Sequence, residues 1–158
     1  MSRRAAAPAQ LPTLDRYLTY RLHMLNKLSD RASHEAYVAG CGLPLGEARC
    51  LAAIGSFPSL TVNSLAFEAN LDKGQASRAA QSLVDQGLVS KHASAVDGRS
   101  VTLSLTPGGK ARWKKTMALI DQRNQAIFGC LSDAERQQLG DMFDRLLSHA
   151  RAREAGEA

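Results

Sequence analysis

"SLAFEANLDKGQASRAAQSLVDQGLV" spans residues 64–89 of a 158-residue chain, and its punctuation decides the fold. Just upstream, Thr61 reads as the N-cap of a short helix over "TVNSLAFEAN". A tight turn at Leu71 follows. Asp72 then caps a second helix, with Gln75 three residues on as its capping-box partner. Gly87 stops that helix, because glycine accepts the left-handed backbone that ends helices. Two short helices around a turn of a few residues form the helix-turn-helix pattern.

Outward from this unit, "LVSKHA" (88–93) and "VTLSL" (101–105) read as two short strands. Val101, Leu103 and Leu105 alternate with Thr102 and Ser104, the pattern of a half-buried strand. The long loop between the strands places Asp97 and Arg99 on either side of Gly98. A wing tip that enters a minor groove needs an extended guanidinium, because narrow grooves concentrate negative potential. Asp97 could limit the rotamers of Arg99, and Gly98 would let the loop turn. Alone, the same residues also fit an ordinary turn with a surface ion pair.

Long helices flank this middle. Leu14, Leu18, Leu22, Leu25 and Leu28 recur at three- and four-residue steps in a helix expected from about Thr13 to Ala39. "GCGLP" breaks it. A helix over Leu45–Ser56 follows, with Cys50, Leu51 and Ile54 inward. After the wing, Thr106 caps a helix with Pro107 at its first position, running to about Phe128. Met117, Ile120, Ile127 and Phe128 mark its apolar side. Ser132 and Glu135 form a capping box opening a last helix, where Leu139, Met142, Phe143 and Leu146 repeat at helical spacing.

The fold class expected is mostly α with a small β wing, a winged helix-turn-helix flanked by N- and C-terminal dimerisation helices. The boundaries are a disordered tail over 1–11, an N-terminal dimerisation helix over 12–44 and a DNA-binding domain over 45–106. C-terminal dimerisation helices over 107–150 and a second tail over 151–158 complete it. The flanking stripes have too little partner surface in one small chain, so a homodimer is expected.

Charge supports a nucleic-acid partner. The chain carries a formal +5. Between Lys73 and Lys115 stand eight bases and only two acids, a net +6. Positive charge is therefore concentrated around the second helix, the wing and the start of the next helix, as phosphate neutralisation demands. "MSRRAAAPAQ" lacks the apolar region of a secretory signal, and no stretch has the length of a membrane span. Cys41, Cys50 and Cys130 form no CxxC, which points to a reduced cytoplasm. No phosphate loop, GxSxG or paired carboxylate suggests an enzyme. No cofactor is expected, and His23, His34, His92 and His149 lack partners spaced to bind a metal.

The pieces together, "SLAFEANLDKGQASRAAQSLVDQGLV", "DGRSVTLSLT" and "LTPGGK", resemble the multiple-antibiotic-resistance-regulator (MarR) family of bacterial transcription factors. The resemblance covers roughly Leu45 to Lys115 in sequence and the whole chain in helix order. It implies that Lys73 to Asp85 is the recognition helix, and it maps the family's wing pair onto Asp97 and Arg99. It implies a dimer whose two lobes read a pseudo-palindromic operator in double-stranded DNA, and a small aromatic acid effector.

Within that frame, Gln75 is expected to meet a base, Lys73 and Ser77 phosphate, and Arg78 guanine or phosphate. Gly74 lowers helix propensity there and could remove a base contact. Arg16, Tyr20 and His23, continued by Lys27 and His34, form a polar stripe opposite the leucines of the first helix. It reads as an effector wall or as a solvated face. The function expected is a dimeric repressor released by an aromatic or heteroaromatic acid. Two alternatives stand beside it: redox sensing through Cys41, expected in a loop before a helix, and a winged helix that binds protein.

Overall fold

The computed structural model describes residues 11–94 and 100–156. Chain order is α1 (Leu18–Cys41), α2 (Leu45–Ser56), α3 (Val62–Glu68), α4 (Lys73–Asp85), β1 (Val89–Ala93), β2 (Val101–Leu105), α5 (Pro107–Phe128) and α6 (Asp133–Glu154). A 3-10 turn over Leu14–Arg16 precedes α1. This corrects the single helix expected from Thr13, because Tyr17 is extended between turn and helix (φ −73°, ψ 133°). Thr13 Oγ1 donates to Asp15 Oδ1 at 2.5 Å, a local bond of the kind that competes with regular helix.

At its other end α1 stops at Gly42, whose φ of +68° is the left-handed conformation glycine adopts cheaply. Arg112 reaches across from α5 and donates Nη1 to the Cys41 carbonyl at 2.6 Å, satisfying a terminal acceptor of α1. Trp113, the next residue, donates Nε1 to the Ala52 carbonyl of α2 at 3.3 Å. Its indole lies over Gly55, where an added Cβ would come within 2.7 Å of Cε2. Two adjacent side chains of α5 thus hold the ends of α1 and α2 together.

The helix-turn-helix forms with the caps expected. Thr61 Oγ1 accepts from Ser64 N at 3.1 Å. Asp72 Oδ1 accepts from Gln75 N at 2.7 Å, and Gln75 Oε1 accepts from Asp72 N at 3.2 Å. The turn itself falls one residue earlier than expected. Asn70, not Leu71, takes the left-handed conformation (φ 52°), and Leu71 N donates back to the Ala66 carbonyl at 2.9 Å. Asparagine tolerates this region better than leucine, so the chain reverses there. Asp72→Ala should lower stability by about 1 kcal/mol, while Asp72→Ser should keep most of it. Urea denaturation of both variants checks this.

Gly87 (φ +69°) ends the reading helix, as expected. The wing is an antiparallel pair with Val89 opposite Leu105 and Ala93 opposite Val101. Leu60 and Thr61 lengthen the ladder on its other side: Thr61 bridges Thr102, and Leu103 N donates to the Leu60 carbonyl at 2.9 Å. Of the alternating residues of β2, Leu103 is buried and Leu105 half-buried. Val101, the first residue of the strand, is exposed. Thr106 then caps α5 and donates its hydroxyl to the Gly87 carbonyl at 2.6 Å, tying α5 to the end of α4.

The core lies in the winged lobe. Leu43, Ala48, Cys50, Leu51, Leu65, Ala76 and Leu83 are fully buried there. Small residues, Ala76, Ala79 and Ala80, line the inner face of α4 and let it sit close to α2 and α3. The long helices contrast with this. Buried residues of α1 are Ser33, Tyr37 and Cys41, and α6 has none among those described. Leu18 is 79% exposed and Leu146 61% exposed, so the leucine stripes lack cover within one chain. Phe143 and Leu139 of α6 are half-buried near Phe128 of α5.

Ser132 and Glu135 make the capping box expected for α6, and the bonds from Ser132 hold the Glu135 carboxyl below its usual value. The helix then continues through Glu154, beyond the expected boundary at residue 150. Arg151 and Arg153 sit in its last turn, where cations complement the helix dipole. The first ten residues of the expected N-terminal tail lie outside the described residues.

Candidate nucleic-acid interface

Four of the expected DNA contacts share one helix. Lys73, Gln75, Ser77 and Arg78 of α4 are all exposed, while Ala76, Ala79, Ala80 and Leu83 turn inward. This separation follows from the 3.6-residue period. Gln75 has a double role, since its Oε1 closes the capping box and leaves the two Nε2 donors for an outside acceptor. The capping bond therefore holds the side chain at the helix N-terminus, the end that reads base edges in helix-turn-helix proteins.

Gly74 has a purpose that its helix propensity hides. A Cβ there would stand 3.3 Å from Arg78 Nη1 and 3.3 Å from Asp72 Oδ1. Side chains of a helix lean toward its N-terminus, and the guanidinium of Arg78 does so over the bare glycine. The missing side chain gives Arg78 room rather than merely removing a contact.

Beside α4, Lys91 of β1 donates Nζ to Gln81 Oε1 at 2.7 Å, and Gln81 Nε2 donates to Asp85 Oδ1 at 2.7 Å. His92 Nε2 and Ser104 Oγ, 2.8 Å apart, join the two strands. Asp97 and Arg99 lie outside the described residues. The loop that carries them is bounded by Ser94 and Ser100, whose backbones pair at 2.9 Å.

Lys110, Lys114 and Lys115 are exposed on the first turns of α5. Arg112 is different. It is half-buried and spent on the end of α1, so one of the eight bases counted in this region serves the fold.

Arg16 lies exposed in the 3-10 turn; Tyr20 is half-buried and His23 exposed near the start of α1. Further along the same helix, a cleft of about 200 Å³ opens between α1, α2 and α5. Its polar lining includes Asp30, Ser33, Tyr37, Arg49 and Arg123. Sequence reasoning missed these residues, because they come from three helices far apart in the chain. A polar Ser33 on the buried side of an amphipathic helix was the available hint.

Cys41 also differs from expectation. It sits in the last turn of α1 rather than in a loop, is 4% exposed, and its thiol donates to the Tyr37 carbonyl at 3.1 Å. A redox sensor needs an accessible sulfur, and this one is closed off. Burial, and then Glu47, push the Cys50 thiol up to about 12. No helix among the described residues is long and apolar enough to cross a membrane.

A helix-turn-helix with an open polar face, beside a two-stranded wing, defines a winged-helix transcriptional regulator. A family model described as the MarR family matches residues 42–100. The HTH-type transcriptional repressor Rv2887 of Mycobacterium tuberculosis is 27% identical over 130 residues, covering 82% of this chain and 91% of its own. The repressor YetL of Bacillus subtilis is 29% identical over 127 residues, 75% of this chain and 76% of its own. Among solved structures, apo MarR from E. coli superposes with a TM-score of 0.69 at 25% identity, over 83% of this chain and 97% of that one. A complex of Rv2887 with p-aminosalicylic acid gives 0.69 at 24% identity, over 82% and 98%. These relatives are transcriptional regulators, not enzymes.

Proposed function

We propose that this MarR-family regulator is a dimeric repressor that binds a pseudo-palindromic operator and leaves it when a small aromatic acid binds. The observation that carries the DNA reading is the exposed set Lys73, Gln75, Ser77 and Arg78 on one open face of α4. In the proposed complex the N-terminal end of α4 enters the major groove and Arg99 reaches the minor groove, with Asp97 steadying it. Support for the dimer comes from the bare leucines of α1 and α6. An aromatic acid is supported by the cleft with two guanidinium groups, and by the p-aminosalicylic acid held by the mycobacterial relative. The cleft, with Arg49 and Arg123, offers more to a carboxylate than the stripe of Arg16, Tyr20 and His23.

The test is operator binding by fluorescence anisotropy at two salt concentrations. Phosphate-driven binding should fall by orders of magnitude, roughly 10³-fold or more, between 50 and 200 mM salt. A salt-independent result, or no binding to any duplex, would favour the protein-binding winged helix instead. Two variants refine this. Arg99→Ala should weaken operator binding about tenfold or more, equivalent to about 1.4 kcal/mol, with Asp97→Ala weaker in effect. Gln75→Ala should relax preference at one operator position by about 1–3 kcal/mol, read from a randomised operator library. Wild-type affinity in the Arg99 variant would remove the wing from the interface.

A further inference from the structure

The cleft between α1, α2 and α5 carries an internal carboxylate as well as two cations. Arg49 of α2 is ion-paired through Nη2 with Asp30 Oδ1 of α1. Both side chains keep some solvent contact, 26% and 34%, so an incoming anion can reach the pair. Arg123 of α5 is held differently. Its Nε donates to Ser33 Oγ at 3.3 Å, and the Ser33 hydroxyl donates onward to the Ser29 carbonyl at 2.7 Å. Ser33 is neutral, and among the described residues Arg123 has no ion-pair partner. Tyr37 stands beside these groups, and burial pushes its phenol up, so it is a neutral donor. The ionised groups of the lining are thus two guanidiniums and one carboxylate, which leaves a single positive charge.

We propose that Asp30 makes this cleft selective for singly charged aromatic acids, by occupying Arg49 and leaving Arg123 as the anchor for the ligand carboxylate. The inference rests on the effector reading above and adds its selectivity. The volume of about 200 Å³ exceeds the roughly 150 Å³ in which a benzene-sized ligand is held inside a protein. One carboxylate on such a ring restores neutrality at Arg123. A second carboxylate must either displace Asp30 from Arg49 or face it as a like charge, and both outcomes cost affinity. Discrimination of this kind comes from a repulsive element against the wrong ligand.

Calorimetric titration of the full chain with benzoate and with phthalate tests this. Wild type should prefer benzoate. Asp30→Asn should raise phthalate affinity about tenfold while moving benzoate less than about threefold, a change in the ratio near 1 kcal/mol. Arg123→Gln should lose benzoate about tenfold, whereas Arg49→Gln combined with Asp30→Asn, which removes the ion pair as a unit and keeps the net charge, should leave it nearly intact. Thermal melting and operator binding without acid show that each variant is folded, and Asp30→Ser provides a second removal of the charge. An unchanged benzoate-to-phthalate ratio in both Asp30 variants overturns the selectivity role and leaves the effector reading standing. Benzoate lost in the Arg49→Gln, Asp30→Asn double variant but kept in Arg123→Gln overturns the choice of anchor. Failure of both acids to bind wild type and every variant removes the effector cleft itself, and this inference with it.

Discussion

Replacing Gly109 by alanine is expected to destabilise the winged lobe by about 3 kcal/mol, the upper end for overpacking a filled site. Gly109 is buried in the first turn of α5, directly against the Leu88 backbone. A Cβ there would overlap the Leu88 carbonyl oxygen and stand 2.9 Å from its carbon. That carbonyl cannot move away cheaply, because it accepts from Thr106 N at 3.1 Å and belongs to the segment leading into the wing. Gly108, one residue earlier, is the control. Its Cβ would meet nothing closer than 3.8 Å, so Gly108→Ala should be neutral or stabilise by about 0.4–1 kcal/mol. Urea denaturation of the pair separates them. Equal behaviour would mean that α5 docks on the 87–88 turn less closely than the structure has it.

The second large effect concerns the leucine faces. Leu22→Glu combined with Leu25→Glu is expected to give a monomer and to lower operator affinity at least about 100-fold. Both residues are exposed in the single chain, 55% and 44%, so the charges add no strain to the fold. A second subunit would bury them, and an unpaired charge in such an interface is costly. Loss of the dimer removes the linkage that makes the second half-site an intramolecular event. Light scattering should report one chain mass in place of two, with far less change in thermal melting than for Gly109→Ala. A variant that stays dimeric would move the interface off α1. A monomer with wild-type operator affinity would break the two-lobed account of binding.

The basic region reads differently once its neighbours are known. Arg112 and Arg78 are both arginines in a stretch of net +6. One is spent on the Cys41 carbonyl at the end of α1, and the other lies exposed above Gly74. Arg112→Ala should therefore disturb how α5 meets α1, while Arg78→Ala should affect DNA and little else. Charge counting sees the two as equal.

What the sequence determined by itself was the local punctuation. Thr61, the Asp72–Gln75 box, Gly87, Thr106 with Pro107, and the Ser132–Glu135 box all act through bonds between residues a few places apart, and each stands where it was read. Helix order and the wing followed from these and from hydrophobic periodicity. The turn residue slipped by one, because the left-handed tolerance of Asn70 outweighs the position of Leu71. Tertiary structure alone decided which polar residues share a site. Arg49 meets Asp30 across 19 residues, Arg112 meets Cys41 across 71, and Arg123 meets Ser33 across 90. Caps are written into three or four consecutive residues, but such pairs depend on how whole helices cross, and helix crossing is set by packing over the entire core.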